Sequence, residues 1–385
     1  MKSIFLIDST FTLREYNRFG FDILLKHKVD ICLWDFQKLN RPNYDKSGFI
    51  SNFDISNSNI NSKVFSNFHE LDECNDLEGS FIFDLRIKID SSYTSDWFRE
   101  KGAIIVKFEQ GIILQSAWTP KVKDYLKIIH NKTLNFGYKN LIFNIFRRVF
   151  IGHSRVKFSD IKVCSGSLSK CYKGEFEIRS HSFDYDIFLQ EKDSNKDDRE
   201  FILFLDSGMT NHPDYNLMNI PPSCTEEEYF PLLRAFFDKV EESTGLPVII
   251  AIHPRILITN SLVNKFEGRE VVSGRTASLV RDAKLILQHD STAVNFVALW
   301  RIPMIVITTD QIEKSEYPDM EAQDQFFKTN RLNINKPINN IDFFEIAQKP
   351  VSQYTNYIEK FIKVNGSAHK HSAEILIQGM KEFNQ

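Results

Sequence analysis

Short, continuously apolar runs alternate with segments of helical period along much of the chain. Residues 3–7 are apolar and stop at Asp8-Ser9-Thr10, the pattern of a buried strand leaving into a loop. Residues 13–28 place Phe19, Ile23 and Leu24 on one side of a helix, and 29–34 form a second strand-like run. This strand–helix–strand opening predicts an α/β unit with parallel strands. Residues 40–80 are rich in Asn, Ser and Asp and predict loops with one short helix, while 81–84 and 103–106 predict further strands.

The rhythm restarts after residues 190–200, the most polar stretch in the middle of the chain and the expected linker. Residues 201–205 predict a strand. Thr225-Glu226-Glu227-Glu228 is an N-cap followed by first-turn acids and opens a helix to about residue 243, which Gly245 ends. Strands at 248–252, 285–287 and 304–307 and helices at 276–282 and 291–300 follow. Successive β–α steps of this kind predict a doubly wound parallel sheet. Residues 351–383 have helical spacing.

With 385 residues, the chain exceeds the roughly 150-residue scale of one domain. The expected organisation is an α/β domain over 1–190, a linker over 191–200, a second α/β domain over 201–345, and helices over 346–385 that pack back on the first domain. The 42% hydrophobic and 26% charged fractions exclude disordered, collagenous and coiled-coil chains. A net charge of −3 argues against a dedicated nucleic-acid binder. The 34 Phe residues carry no functional reading. The five cysteines are scattered without a Cys-x-x-Cys, which argues against a disulfide framework or a zinc site. No apolar run approaches the roughly 20 residues of a membrane span and no secretory leader is apparent, so the expected location is the cytoplasm. Arg147, Arg148 and Arg155 lie among aromatics and apolar residues and are candidate contacts to the inner membrane face; buried elements with snorkelling ends are the plainer alternative.

Ligands in open α/β sheets bind beyond the carboxyl ends of strands. Three such ends in the second half are chemically rich: Asp206-Ser207-Gly208, His253-Pro254-Arg255 and His289-Asp290-Ser291-Thr292. Pro254 restricts His253 to extended backbone, so its imidazole projects from a strand end, where it can bind a phosphate or act as an acid. Arg255 adds a guanidinium. The Ser291 and Thr292 hydroxyls sit where a helix is expected to start and suit an anion; simple N-capping is the alternative. Asp184-Tyr185-Asp186 spells the Asp-x-Asp of metal-dependent transferases, but it lies beside the linker and no metal is expected there. His153 and His181 are isolated and read as surface or core residues. No Gly-x-Gly-x-x-Gly or phosphate-loop lysine motif appears.

The order strand, His253-Pro254, Gly274-Arg275-Thr276, strand, Ser291-Thr292, helix, Pro303, strand resembles the C-terminal half of GT-B-fold glycosyltransferases of bacterial surface polysaccharides. The likeness is strongest to enzymes that use CMP-activated acidic sugars, the sialyl- and Kdo-transferase-like group, and covers residues 201–310. It implies two Rossmann-like domains with a cleft between them. It also implies transfer of a CMP-activated nonulosonic or Kdo-type sugar to a glycan or lipid-linked glycan acceptor, without a metal cofactor. By this resemblance Gly208, His253, Pro254, Arg255, Arg275, Thr276, Ser291 and Thr292 hold the nucleotide. Alternatives of the same fold are a CDP-alditol phosphotransferase and a nucleotide-sugar epimerase; a non-enzymatic binding protein is the third. The acidic Asp/Glu-Asp/Glu-Gly motif of the group has no clean match, since Asp206-Ser207-Gly208 carries Ser in the middle. The catalytic candidates are therefore His253, Asp206 and Asp8, with Asp35, Asp84 and Glu109 as further strand-end acids of the first domain.

Overall fold

The structure is a computed structural model that describes residues 1–40, 60–67, 69–86, 91–110, 159–212, 215, 221–254, 256–315, 318–329, 331–338 and 340–385. Arg147, Arg148, His153, Arg155 and Arg255 lie outside the described residues.

Among the described residues the strands form two sheets. The first contains β1 (Lys2–Ile7), β2 (Asp30–Asp35), β3 (Asn61–Val64), β4 (Phe81–Asp84), β5 (Ile104–Glu109), β6 (Ile161–Cys164) and β7 (Phe176–Arg179), in the order β3-β2-β1-β4-β5-β6-β7. The second contains β8 (Ile202–Leu205), β9 (Val248–Ala251), β10 (Val271–Val272), β11 (Leu285–Gln288), β12 (Met304–Thr308) and β13 (Leu332–Asn333), in the order β10-β9-β8-β11-β12-β13. The pairings within both sheets are parallel. Each sheet therefore winds outward in both directions from its first strand, and the fold is two Rossmann-like α/β domains. The central strands are buried on both faces, which is why they appear in the sequence as unbroken apolar runs.

The helix expected over 13–28 is two helices, Leu13–Arg18 and Phe21–Lys26. Gly20 separates them with φ 62°, and a Cβ there would stand 2.7 Å from the Ala373 Cβ. Both the left-handed backbone and the close approach require glycine. The contact is made with the last helix, Ser372–Phe383, whose Leu376, Ile377 and Met380 are buried in the core of the first sheet beside Phe5, Phe21 and Phe83. At about 1.5–3 kcal/mol per fully buried side chain, this helix is a large part of that core.

The second sheet is covered on one face by the helix Glu226–Thr244 through Leu233, Phe237 and Val240. On the other face lie Thr276–Asp282, Val294–Trp300 and the segment around Tyr354, Tyr357 and Phe361. The helix Phe183–Glu191 packs on Thr276–Asp282 and Val294–Trp300, with Tyr185 in the same cluster. The polar stretch after it is held down: the buried Arg281 donates to the carbonyls of Glu191 (2.6 Å) and Asn195 (2.8 Å) and pairs with Asp282 (2.7 Å). β6 and β7 were not anticipated from the sequence, because four-residue strands with alternating or charged positions leave little periodicity. Among the described residues no helix is long and apolar enough to cross a membrane.

Candidate functional site

The topology brings the second-half loops together. Reading across the second sheet, Leu205 pairs with both Ala251 and Gln288, so Asp206, Ile252 and His289 leave the sheet at one height. β8 and β11 flank the point where the strand order reverses, the usual crevice for a ligand in a doubly wound sheet. β9 is the next strand out, and β10, which precedes Arg275 and Thr276, lies beyond it.

Asp206 is 8% exposed and its Oδ1 accepts a hydrogen bond from the Gly208 N–H at 3.0 Å. Burial pushes its carboxyl up to about 6, against the opposing pull of that N–H. Gly208 has φ 68°, and a Cβ there would meet Ile256 Cδ1 at 2.7 Å. The backbone at this strand end must therefore stay bare. The Gly208 carbonyl accepts from the His212 N–H at 2.8 Å, which folds the loop back toward β9.

There the half-buried His253 ring lies 4.6 Å from the His212 ring at an interplanar angle of 64°. The His253 carbonyl accepts from Ile256 N–H at 2.9 Å, closing a turn in which Pro254 is exposed. Sequence reasoning missed His212, although its place four residues after Gly208 in a strand-end loop was the available signal. Arg275 is exposed and is the N-cap residue of Thr276–Asp282, and Thr276 is half-buried.

The third loop divides into structural and available groups. His289 is fully buried. Its Nδ1 lies 2.7 Å from the Ile307 carbonyl, which only accepts, so Nδ1 carries the proton. Its Nε2 then accepts from the Tyr229 hydroxyl at 2.8 Å. Burial pushes the imidazole down to about 4, and it is neutral at neutral pH. His289 is thus a strut between β11, β12 and the helix Glu226–Thr244. The helix expected from 291 begins at Val294, and the Ser291 Oγ accepts from Ala293 N–H at 3.2 Å. Ser291 serves the turn, while Thr292 is the exposed hydroxyl.

The first-domain acids separate. Asp8 is fully buried. Asp35 Oδ1 accepts from Gln37 N–H at 2.7 Å. Asp84 pairs with Arg86 at 2.7 and 2.6 Å, and Glu109 with Lys162 at 2.9 Å. Of the four, Asp84 and Glu109 line a cavity of about 410 Å³ at the carboxyl ends of β4 and β5. A cavity of about 520 Å³ lies at the opposite, amino-terminal edge of β8 and β9, and its charged groups pair among themselves, as Arg269 does with Asp238 and Glu241. That groove is an ion-pair network remote from the loops above.

Both acids of the Asp184-Tyr185-Asp186 string are engaged by protein donors. Asp184 accepts from Asn295 Nδ2 at 2.6 Å, and Asp186 accepts from the Ser372 N–H at 2.8 Å and from its hydroxyl. The fully buried His181 lies 3.0 Å from the Ser182 carbonyl and 2.7 Å from the Lys370 carbonyl. Asp186 and His181 thus fasten the C-terminal segment, while Asp184 ties the helix Phe183–Glu191 to Val294–Trp300.

No protein-family model matches the chain, and no curated protein matches its sequence. Solved structures do. The glycotransferase of kitacinnamycin superposes with a TM-score of 0.54 at 8% identity, covering 98% of both chains. The wall teichoic acid polymerase TagF gives 0.49 at 10% identity over 100% of this chain and 89% of that one. The UDP-GlcNAc 2-epimerase of Methanocaldococcus jannaschii gives 0.48 at 13% identity over 98% and 99%. At such identities the likeness is one of fold: two Rossmann-like domains in a GT-B-like arrangement, with a cleft between them.

Proposed function

We propose that the protein transfers a sugar from a nucleotide donor, held on the loops after β8, β9 and β11, to a glycan acceptor held by the first domain. The observation that supports this reading is that the loops bearing Gly208, His253 and Thr292 leave the carboxyl edge of the neighbouring strands β8, β9 and β11, beside the reversal point of the second sheet. As the bond to the anomeric carbon breaks, negative charge grows on the departing phosphate. A hydrogen-bond donor fixed at that oxygen, His253, lowers the barrier by stabilising it. Thr292 binds the phosphate in ground and transition state alike. Arg255, Arg275 and Thr276 complete the nucleotide side.

Removing the acceptor hydroxyl proton needs a carboxylate. Asp206 suits this better than Asp8. It keeps some exposure, and a carboxyl held at about 6 is ionised yet basic at neutral pH. The donor class is a CMP-activated acidic sugar, in keeping with His253-Pro254 and Ser291-Thr292. Lipid-linked acceptors would bring the protein to an anionic membrane through Arg147, Arg148 and Arg155.

Calorimetric titration with CMP, CDP and UDP in EDTA tests the reading. The expected result is binding of CMP in preference to UDP, reduced by Thr292→Ala. Binding of none of the three nucleotides would reject the transferase in favour of a non-enzymatic protein. Dependence on an added divalent ion would reject the metal-free route.

A further inference from the structure

The 410 Å³ cavity of the first domain contains a cation that the fold does not use. Its two acids are already neutralised, Asp84 by a two-pronged pair with Arg86 and Glu109 by Lys162. Arg18, at the end of the helix Leu13–Arg18, is half-buried in the same wall. Among the described residues its guanidinium has no ion pair within 4 Å and no hydrogen-bond partner; it lies over the Phe183 ring, 4.9 Å from the centroid. Burial and the neighbouring Arg14 hold its pKa below the ordinary guanidinium range, with weaker opposing help from Asp184 and Glu15. An anion would relieve that cost.

The rest of the wall is three aromatic rings with Leu85, the exposed Lys107 and the buried Gln110. Phe19, Phe108 and Phe183 contact one another with centroids 5.2–5.6 Å apart. Apolar rings beside the Arg18 guanidinium, with the Lys107 ammonium at the exposed side of the same wall, suit a ligand with a C–H face and a carboxylate, which is the chemistry of an acidic sugar. One helix links the cavity wall to the second domain. Phe183 opens the helix Phe183–Glu191, and the next residue, Asp184, is hydrogen-bonded to Asn295 in the helix that follows Ser291-Thr292.

We propose that this cavity binds an acidic sugar residue of the acceptor glycan, with its carboxylate on the Arg18 guanidinium and its ring against Phe19, Phe108 and Phe183. The proposal rests on the transferase reading, because it names the acceptor class for that reaction. The full-length protein is titrated with methyl β-glucuronide, with the neutral methyl β-glucoside and with inorganic phosphate, followed by saturation-transfer NMR. CMP affinity and melting temperature are measured on the same samples. Wild type should bind the glucuronide and not the glucoside. Arg18→Gln should weaken the glucuronide about tenfold or more with CMP affinity unchanged, and Arg18→Lys should recover part of the loss, because it restores the charge without the planar fork.

Equal glucuronide binding by wild type and Arg18→Gln overturns the proposal, as does no glucuronide binding by wild type, or glucoside binding as tight as glucuronide. Phosphate binding as tight as the glucuronide overturns the sugar assignment. If Arg18→Gln does not fold, Arg18→Lys and the glucuronide–glucoside comparison on wild type still decide. CMP binding without glucuronide binding removes this inference alone, whereas loss of CMP binding in wild type removes the transferase reading.

Discussion

Replacing Asp206 by Asn should stabilise the protein, and only above acidic pH. The carboxyl titrates at about 6 in the fold against 3.8 in an open chain, so the folded state holds the proton more tightly. Stability from this group therefore falls as pH rises from about 4 to 6, and at 1.36 kcal/mol per pH unit the accumulated cost is about 3 kcal/mol at pH 7 and above. Asn keeps the acceptor for Gly208 N–H and removes the charge. His289 acts with the opposite sign. It titrates at about 4 in the fold against 6.5 unfolded, so its stability is complete above pH 6.5 and is lost as pH falls toward 4, again about 3 kcal/mol. In wild type the two slopes nearly cancel between pH 4 and 6, and Asp206→Asn should uncover the His289 slope.

The assay is urea denaturation of both proteins from pH 4 to 8, read as midpoint and slope. The difference in unfolding free energy isolates Asp206, because all other groups titrate in both. It should be about 3 kcal/mol in favour of the variant at pH 8 and near zero at pH 4. A difference independent of pH, or a variant less stable than wild type at pH 8, would refute the assignment of Asp206 as a buried carboxylate held against its desolvation cost.

His253→Ala should lower transfer about 10²–10³-fold with little change in melting temperature; wild-type transfer by the folded variant would overturn its role. Thr292→Ala should weaken nucleotide binding by about 1–2 kcal/mol, while Ser291→Ala should lower the melting temperature more than the affinity, so the reverse ranking in calorimetry and thermal melts would contradict the division of labour in that loop. Gly208→Ala should cost both stability and nucleotide affinity, since the Cβ meets Ile256 at 2.7 Å and the backbone is left-handed; unchanged titrations would show that the loop is free to move. Arg281→Gln should release the segment at Glu191 and Asn195, and limited proteolysis should then cut there faster than in wild type.

The α/β class and most central strands were legible from unbroken apolar runs such as 201–205 and 248–252, because strands buried on both faces favour apolar residues at successive positions. The three strand-end clusters were legible too, as chemistry placed just after those runs. Strand order was not: a sequence has no information on lateral neighbours until side chains pack, so the placing of β8 beside β11 at the reversal point, with β9 next out, came only from the sheet. Tertiary packing also sorted residues that look alike in one dimension. His253 and His289 both follow apolar runs, yet one lies half-exposed against His212 and the other is buried between Ile307 and Tyr229. Arg18 carries no motif at all. Its significance arises because Phe183, 165 positions later, supplies the ring beneath it while Asp84 and Glu109 in the same cavity are paired with other cations.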